Sequence, residues 1–123
     1  MRQSLTTERV MQTLFTLHAV DRTKLADVVA EMATLGSPKI RAVDCGDYLM
    51  ALEGVHRIAA AAELGVALDL EILDQNDLVK ADSLDWQDLR RGESYTAGEL
   101  AGEAYSPSCG IYRLRDDNTV TAA

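Results

Sequence analysis

Apolar and polar residues follow two different periods along this chain, and they predict alternating strands and helices. Residues 14–20 alternate between two faces that both carry apolar side chains, which predicts a strand covered on both sides. After Asp21, apolar residues recur at spacings of three and four as far as Leu35. This spacing predicts a helix that Asp21 caps at its start and that Gly36 and Pro38 terminate.

The next apolar stretches predict a hairpin that leads into a second helix. Residues 39–43 and 48–52 are strand-like and flank a loop rich in Gly and Asp, which is typical of a hairpin connection. The chain then passes through Glu53-Gly-Val-His-Arg57 into an alanine-rich helix at 58–64. The remaining predicted elements are a strand at 66–73, a short helix at 83–91, another helix after a capping box formed by Thr96 and Glu99, a late strand at 111–115 and a mobile tail at 116–123.

Composition limits the fold and the partners. A chain of 123 residues with 47% hydrophobic content is expected to form one domain, over 1–123, and the alternation of predicted strands and helices indicates the α/β (α+β) class. A net charge of −8 argues against DNA binding by this chain alone, because DNA affinity depends on Lys and Arg. Residues 1–10 lack the apolar segment of a signal peptide, and no later run reaches membrane-spanning length, so a cytoplasmic protein without membrane contact is expected.

The segment from Glu53 to Arg57 has the composition of an anion site. A helix start presents backbone N–H groups without partners and the positive end of the helix dipole. Gly54 permits a close approach to the backbone, and His56 and Arg57 add donors. Phosphate is the anion that this combination favours.

Three stretches give the chain a resemblance to the ParB/sulfiredoxin superfamily. They are residues 21–29, the triplet Gly46-Asp-Tyr48, and residues 53–64, which contain Gly-x-His-Arg before an alanine-rich helix. The resemblance implies a compact mixed sheet with helices packed on it, and it covers roughly residues 13–73 as the core of the domain. It leaves residues 74–123 as an acidic, helical C-terminal extension.

The resemblance implies a nucleotide site. Gly54, His56 and Arg57 would bind the phosphates, and Lys24 would reach them from the first helix. The nucleotide would be ATP or CTP with Mg²⁺. Sulfiredoxins carry their catalytic cysteine where this chain has Val55, so sulfiredoxin activity is not expected.

Three carboxylates are candidates for metal binding or catalysis. The resemblance to free-serine kinases of the superfamily implies that Glu53 positions a metal or substrate, and a carboxylate there has the chemistry of a general base. Asp27 and Glu31 are weaker candidates for Mg²⁺ on the first helix. Glu53 is equally compatible with a purely electrostatic role at the helix start.

These residues leave three functions open. The domain is expected to be a small phosphotransferase or nucleoside triphosphate hydrolase, a non-enzymatic nucleotide-dependent interaction module, or a scaffold that binds no nucleotide. His18 is expected to be structural and Trp86 to be a core anchor. The acidic residues of the C-terminal third form either a solvated face or a docking surface for a protein partner; they are Asp74, Asp77, Asp82, Asp85 and Asp88.

Overall fold

The structure, a computed structural model, describes residues 11–84, 86 and 89–122. Residues 1–10, on which the expected lack of a leader depends, lie outside this range, as do Asp85 and Asp88 of the acidic run. The elements in chain order are β1 (Met11–Thr16), α1 (Arg22–Leu35), β2 (Lys39–Asp44), β3 (Leu49–Ala51), α2 (Val55–Leu64), β4 (Asp69–Leu73), β5 (Leu78–Lys80), a 3₁₀ turn (Ala81–Ser83), β6 (Ser94–Thr96), α3 (Ala97–Ala104), β7 (Gly110–Arg115) and β8 (Val120–Ala122).

Six strands form one mixed sheet in the order β4-β2-β3-β1-β7-β8, and β5 and β6 form a separate two-stranded sheet. β1 runs parallel to β3, with Leu14 opposite Leu49, and antiparallel to β7, with Leu14 opposite Tyr112. β2 pairs antiparallel with β3 and parallel with β4. The carboxyl ends of the adjacent parallel strands β1 and β3 therefore lie side by side, which is where open α/β sheets place their ligands.

Both faces of the main sheet are covered. Alternate residues of β3 enter two different cores: Leu49 packs with residues of α1 and α2, and Met50 packs with residues of α3 and β5. The same alternation separates Leu14 from Phe15 on β1. The protein thus has the mixed α/β architecture expected from its sequence, with helices packed on a sheet.

The elements with strong local signals lie where the sequence predicts them. α1 begins after Asp21, whose carboxylate accepts hydrogen bonds from the N–H groups of Thr23 and Lys24, and it ends at Gly36. The β2–β3 hairpin pairs Ala42 with Ala51. α3 begins with the predicted capping box of Thr96 and Glu99.

Other boundaries differ from the prediction. β1 ends at Thr16, and the residues predicted to extend it to position 20 form a loop. α2 begins at Val55, three residues earlier than predicted, so the helix start includes His56 and Arg57. β4 begins at Asp69, after a short loop.

Two predictions for the C-terminal part are wrong. No helix occupies the described part of segment 83–91, where a single 3₁₀ turn ends at Ser83. The predicted mobile tail contains β8, which pairs with β7 and buries Val120. The turn that joins these strands places Asn118 at φ 68°, a conformation that Asn tolerates better than most residues.

In the part of the chain that the structure describes, no helix has the length and apolar character needed to cross a membrane.

Candidate functional site

Gly54 makes the sharp junction between β3 and α2. Its φ of 77° and ψ of 34° lie in the left-handed region that glycine adopts without strain. A Cβ added there would collide with Cδ1 of the buried Ile40 and would lie 3.4 Å from Nη2 of Arg57. The Arg57 guanidinium therefore lies beside the Gly54 backbone, at the start of the helix.

The N-terminus of α2 differs from those of the other two described helices. Asp21 caps α1 and Thr96 caps α3, whereas Gly54 offers α2 no side-chain cap. The first intrahelical bond within α2 runs from the Ile58 N–H to the Gly54 carbonyl at 2.9 Å. The N–H groups that precede it in the first turn of a helix have no intrahelical partner, and they form the positive end of the helix dipole.

Glu53 and Arg41 form a closely coordinated ion pair under this turn. Arg41 donates from Nε to Oε2 of Glu53 at 2.8 Å, from Nη2 to Oε1 at 2.9 Å and from its backbone N–H to Oε2 at 3.1 Å. About a fifth of each side chain is exposed. The pKa of Glu53 lies below its ordinary value, chiefly because of the side-chain hydrogen bonds from Arg41; partial burial opposes this shift, and Arg57 adds to it.

The same guanidinium ties the turn to the 3₁₀ segment. Arg41 donates from Nη1 to the Ser83 hydroxyl at 3.0 Å and from Nη2 to the Ser83 carbonyl at 2.9 Å. Ser83 in turn donates from its hydroxyl to the Lys80 carbonyl at 2.7 Å. Arg41, which lies on β2, therefore connects this strand to the Glu53 turn and to the 3₁₀ turn that follows β5.

His56 links the two helix starts. Its Nε2 accepts a hydrogen bond from the Asp21 N–H at 2.9 Å, so in this geometry the ring proton resides on Nδ1. The ring centroid of His18 lies 6.1 Å from that of His56. His18 donates from Nδ1 to the Ala19 carbonyl at 2.7 Å.

A cavity of about 430 Å³ brings the predicted phosphate ligands together. It is lined by all four of them, Lys24, Gly54, His56 and Arg57, and by Glu53. His18 and Trp86 complete its wall. The lining residues come from the loop after β1, the first turn of α1, the β3–α2 junction and the segment around Ser83 and Trp86, so tertiary packing joins three separate segments of the chain.

The carboxylates proposed for metal binding are separated. Asp27 and Glu31 lie on the exposed surface of α1 and do not line this cavity, whereas Glu53 does. Residues 11–84, 86 and 89–122 contain no group of three or more His, Cys, Asp or Glu side chains arranged to hold a metal ion. Mg²⁺ bound to a nucleotide needs only one or two protein carboxylates as ligands. Oε1 of Glu53 accepts a single hydrogen bond, from Arg41, so it retains a second acceptor position that a metal ion could use.

Three residues at the site were missed or interpreted differently from the sequence. Arg41 was not singled out, although the hairpin register places it next to Leu52 and hence close to Glu53. His18 was interpreted as structural but is exposed and lines the cavity. Trp86 is half-buried, and its Nε1 donates to the Leu52 carbonyl at 2.8 Å, so it acts as an anchor and also forms part of the cavity wall.

Comparisons of the chain with models of protein families, with curated proteins and with solved structures gave no match. The geometry of the cavity is therefore the main basis for inferring its function.

Proposed function

We propose that this protein binds a nucleotide through its phosphate groups at the junction of β3 and α2. The observation that carries the proposal is the convergence of Lys24, His56 and Arg57 in one cavity at the uncapped start of α2. Each supplies N–H donors to phosphate oxygens: an ammonium, an imidazole and a planar guanidinium. The helix start adds backbone donors and a favourable dipole.

The charge distribution supports an anion in this cavity. The chain carries a net charge of −8, yet two permanent cations and two histidines line the cavity. Glu53, the carboxylate among the described residues that line it, is paired with Arg41 through three hydrogen bonds. Its negative charge is therefore largely compensated and opposes phosphate binding less than an unpaired carboxylate would.

The resemblance to the ParB/sulfiredoxin superfamily agrees with this proposal for the phosphate site. The Gly-x-His-Arg residues that carry the resemblance are the residues that line the cavity at the helix start. Val55 stands where sulfiredoxins have their cysteine. Because valine has no thiol, this position supplies no thiolate, and the side chain is buried. Nucleotide binding without sulfur chemistry is the function that this residue pattern supports.

A second candidate function is transfer or hydrolysis of the bound phosphate. Glu53 lines the same cavity and has one acceptor position left on Oε1, which suits a single contact to Mg²⁺. Its lowered pKa makes it a weaker base than an ordinary glutamate. Phosphate release by the wild-type protein with ATP, CTP or GTP and Mg²⁺ would establish this activity. If the protein binds a nucleotide but releases no phosphate, the remaining function is that of a non-enzymatic, nucleotide-dependent interaction module.

In that module, the exposed acidic side chains of the C-terminal third are the proposed contact for a basic protein partner. Asp74, Asp77 and Asp82 are exposed in the described part of this run.

The test of phosphate binding is the substitution Arg57→Ala. The Arg57 side chain is exposed and is not part of either core, so the unliganded fold should keep its melting temperature. Loss of a guanidinium that contacts phosphate should weaken nucleotide binding by about 10- to 100-fold, and ligand-induced stabilisation should fall accordingly.

Arg113→Ala is the matched control, because Arg113 is exposed on β7 and does not line the cavity. Thermal shift with ATP, CTP, GTP and tripolyphosphate, each with and without Mg²⁺, measures the effect. Equal nucleotide affinity in the two variants would exclude the proposed site. If the wild-type protein binds no nucleotide, the remaining function is that of a scaffold without a nucleotide site.

A further inference from the structure

A second and larger cavity adjoins the proposed phosphate site. Its volume is about 920 Å³, and it shares the wall formed by Leu17, His18 and Trp86 with the smaller cavity. α3 forms the opposite side, where Gly102 presents backbone without a side chain and has open space beside it. A ligand with phosphates in the smaller cavity would thus extend past Trp86 into the larger one.

The two cavities differ in the charge of their lining residues. Lys24 and Arg57 line the smaller one, and no Lys or Arg is found among the described residues that line the larger one. The described charged side chains of the larger cavity are those of Glu99 and Glu103. A ligand that fits both cavities is anionic at one end and donates hydrogen bonds at the other.

Glu103 is the carboxylate available to such a ligand. Glu99 accepts a hydrogen bond from the Thr96 N–H at 3.0 Å as part of the capping box. Within the described part of the chain, Glu103 is exposed and forms no hydrogen bond or ion pair. Both of its oxygens therefore remain as neighbouring acceptors.

The other walls suit an aromatic ring. Trp86 is held by its hydrogen bond to the Leu52 carbonyl, which fixes the orientation of the indole. Leu17 and Leu89, which are both half-buried, add apolar surface. The Tyr95 hydroxyl accepts from the Arg90 N–H at 3.2 Å and keeps its own proton as a donor.

We propose that the larger cavity binds the base of the nucleotide and that Glu103 selects guanine. The proposal rests on the phosphate site described above. Guanine is the base whose edge presents two adjacent donors, the N1–H and the 2-amino group, which match the two oxygens of one carboxylate. Its O6 is an acceptor, which matches the Tyr95 hydroxyl. The resemblance to the superfamily implies ATP or CTP instead, and neither base has two adjacent donors on this edge.

Calorimetric titration with GTP, ITP and tripolyphosphate, each with Mg²⁺, tests the base and phosphate parts separately. ITP differs from GTP only by lacking the 2-amino group, so the wild-type protein should bind GTP about tenfold or more tightly than ITP. Tripolyphosphate lacks a base and should bind more weakly than either.

Two variants locate the selectivity. Glu103→Gln should bring the affinities for GTP and ITP to within about twofold and leave that for tripolyphosphate unchanged, because an amide offers one acceptor in place of two.

Gly102→Leu should reduce GTP binding to the level of tripolyphosphate by filling the cavity. A Cβ at Gly102 meets no atom within 4 Å, and leucine favours the helix, so this variant should fold. Glu63→Gln, on the exposed surface of α2, controls for the loss of one charge.

The results distinguish failure of the base site from failure of the phosphate site. Equal affinity of the wild-type protein for GTP and ITP would overturn the guanine proposal, and so would selectivity that persists in Glu103→Gln. If tripolyphosphate and nucleotides bind alike and Arg57→Ala abolishes both, the phosphate site stands and the base site is wrong. If none of them binds, both proposals are wrong.

Discussion

At the scale of single residues, the pair of Arg41 and Glu53 determines the shape of the candidate site. The Arg41 guanidinium donates four hydrogen bonds, two to the Glu53 carboxylate and two to Ser83, and the Arg41 backbone N–H donates a fifth to Glu53. One residue of β2 thus holds the turn and the 3₁₀ segment together. Each side chain is only about a fifth exposed. The contribution of this ion pair to the free energy of unfolding is therefore expected to lie between those of surface and buried ion pairs. Its loss should therefore affect both stability and ligand binding.

The pH dependence of stability tests this pair. Glu53 has a lowered pKa in the folded protein, so it stabilises the fold at pH values above the ordinary carboxyl range and loses this effect as the pH falls through its folded pKa. Glu53→Gln should cost about 1–3 kcal/mol of unfolding free energy at neutral pH. The difference from wild type should shrink once the pH drops below about 4.3, the ordinary value for glutamate.

Urea unfolding at a series of pH values between neutral and acid measures this difference. Glu63→Gln on the exposed surface of α2 serves as the control, because it removes a carboxylate that lies outside the pair. A gap between wild type and Glu53→Gln that stays constant at all pH values would contradict the proposed electrostatic origin.

Sequence patterns indicated the residues proposed to bind phosphate better than the residues that support them. His56 and Arg57 could be inferred because they follow a glycine at a predicted helix start, and that information is local. Arg41 was missed because its partner is twelve residues away and becomes adjacent only through the hairpin register. Likewise, the role of His18 depends on the packing of the β1 loop against α2, which alternation along a strand does not reveal.

At the scale of elements, the β3–α2 junction depends on Gly54 for two reasons. Its φ of 77° disfavours any residue with a Cβ, and the fully buried Ile40 occupies the space that a Cβ would need. Gly54→Ala should therefore destabilise the fold by about 2–4 kcal/mol, from backbone strain together with overpacking.

Gly46→Ala separates these two contributions. Gly46 has a φ of 91°, and a Cβ there would meet no atom within 4 Å, so this variant should show the backbone cost alone, about 1–2 kcal/mol. Denaturant titration of both variants gives the comparison. Equal destabilisation would show that Ile40 adjusts without cost.

Elements were predictable where their signals are short-range. Caps and turn residues define α1, the β2–β3 hairpin and α3, and all three formed as expected. Segment 116–123 lacks a long apolar run and was interpreted as a tail. Its three-residue strand is stable only because it adds to β7, whose own place in the sheet depends on β1 at the other end of the chain.

At the scale of the whole molecule, the C-terminal strand belongs to the core that supports the site. Val120 is 2% exposed and packs in the same core as Leu25 and Ile58, which lie on α1 and α2. Val120→Ala should cost about 1–3 kcal/mol, from the lost burial of two methyl groups and the space they leave.

Thr121→Ala is the neighbouring control, because Thr121 is half-buried and is not part of either core. Thermal unfolding of the two variants compares them. If Val120→Ala were as stable as Thr121→Ala, the C-terminal strand would not contribute to this core.

The position of β1 also has a consequence for synthesis of the chain. One edge of β1 pairs with β7, and almost all of the described chain lies between the partners Leu14 and Tyr112. Until β7 has been translated, that edge of an apolar strand has no partner, and such edges readily pair with other chains. Nascent chains arrested before residue 110 should therefore be more sensitive to protease and more prone to associate than chains arrested beyond residue 122, after allowance for the segment held inside the ribosome. Equal protease resistance of the two sets of chains would contradict this expectation. It would show that β1, β2, β3, α1 and α2 fold before β7 and β8 have been translated.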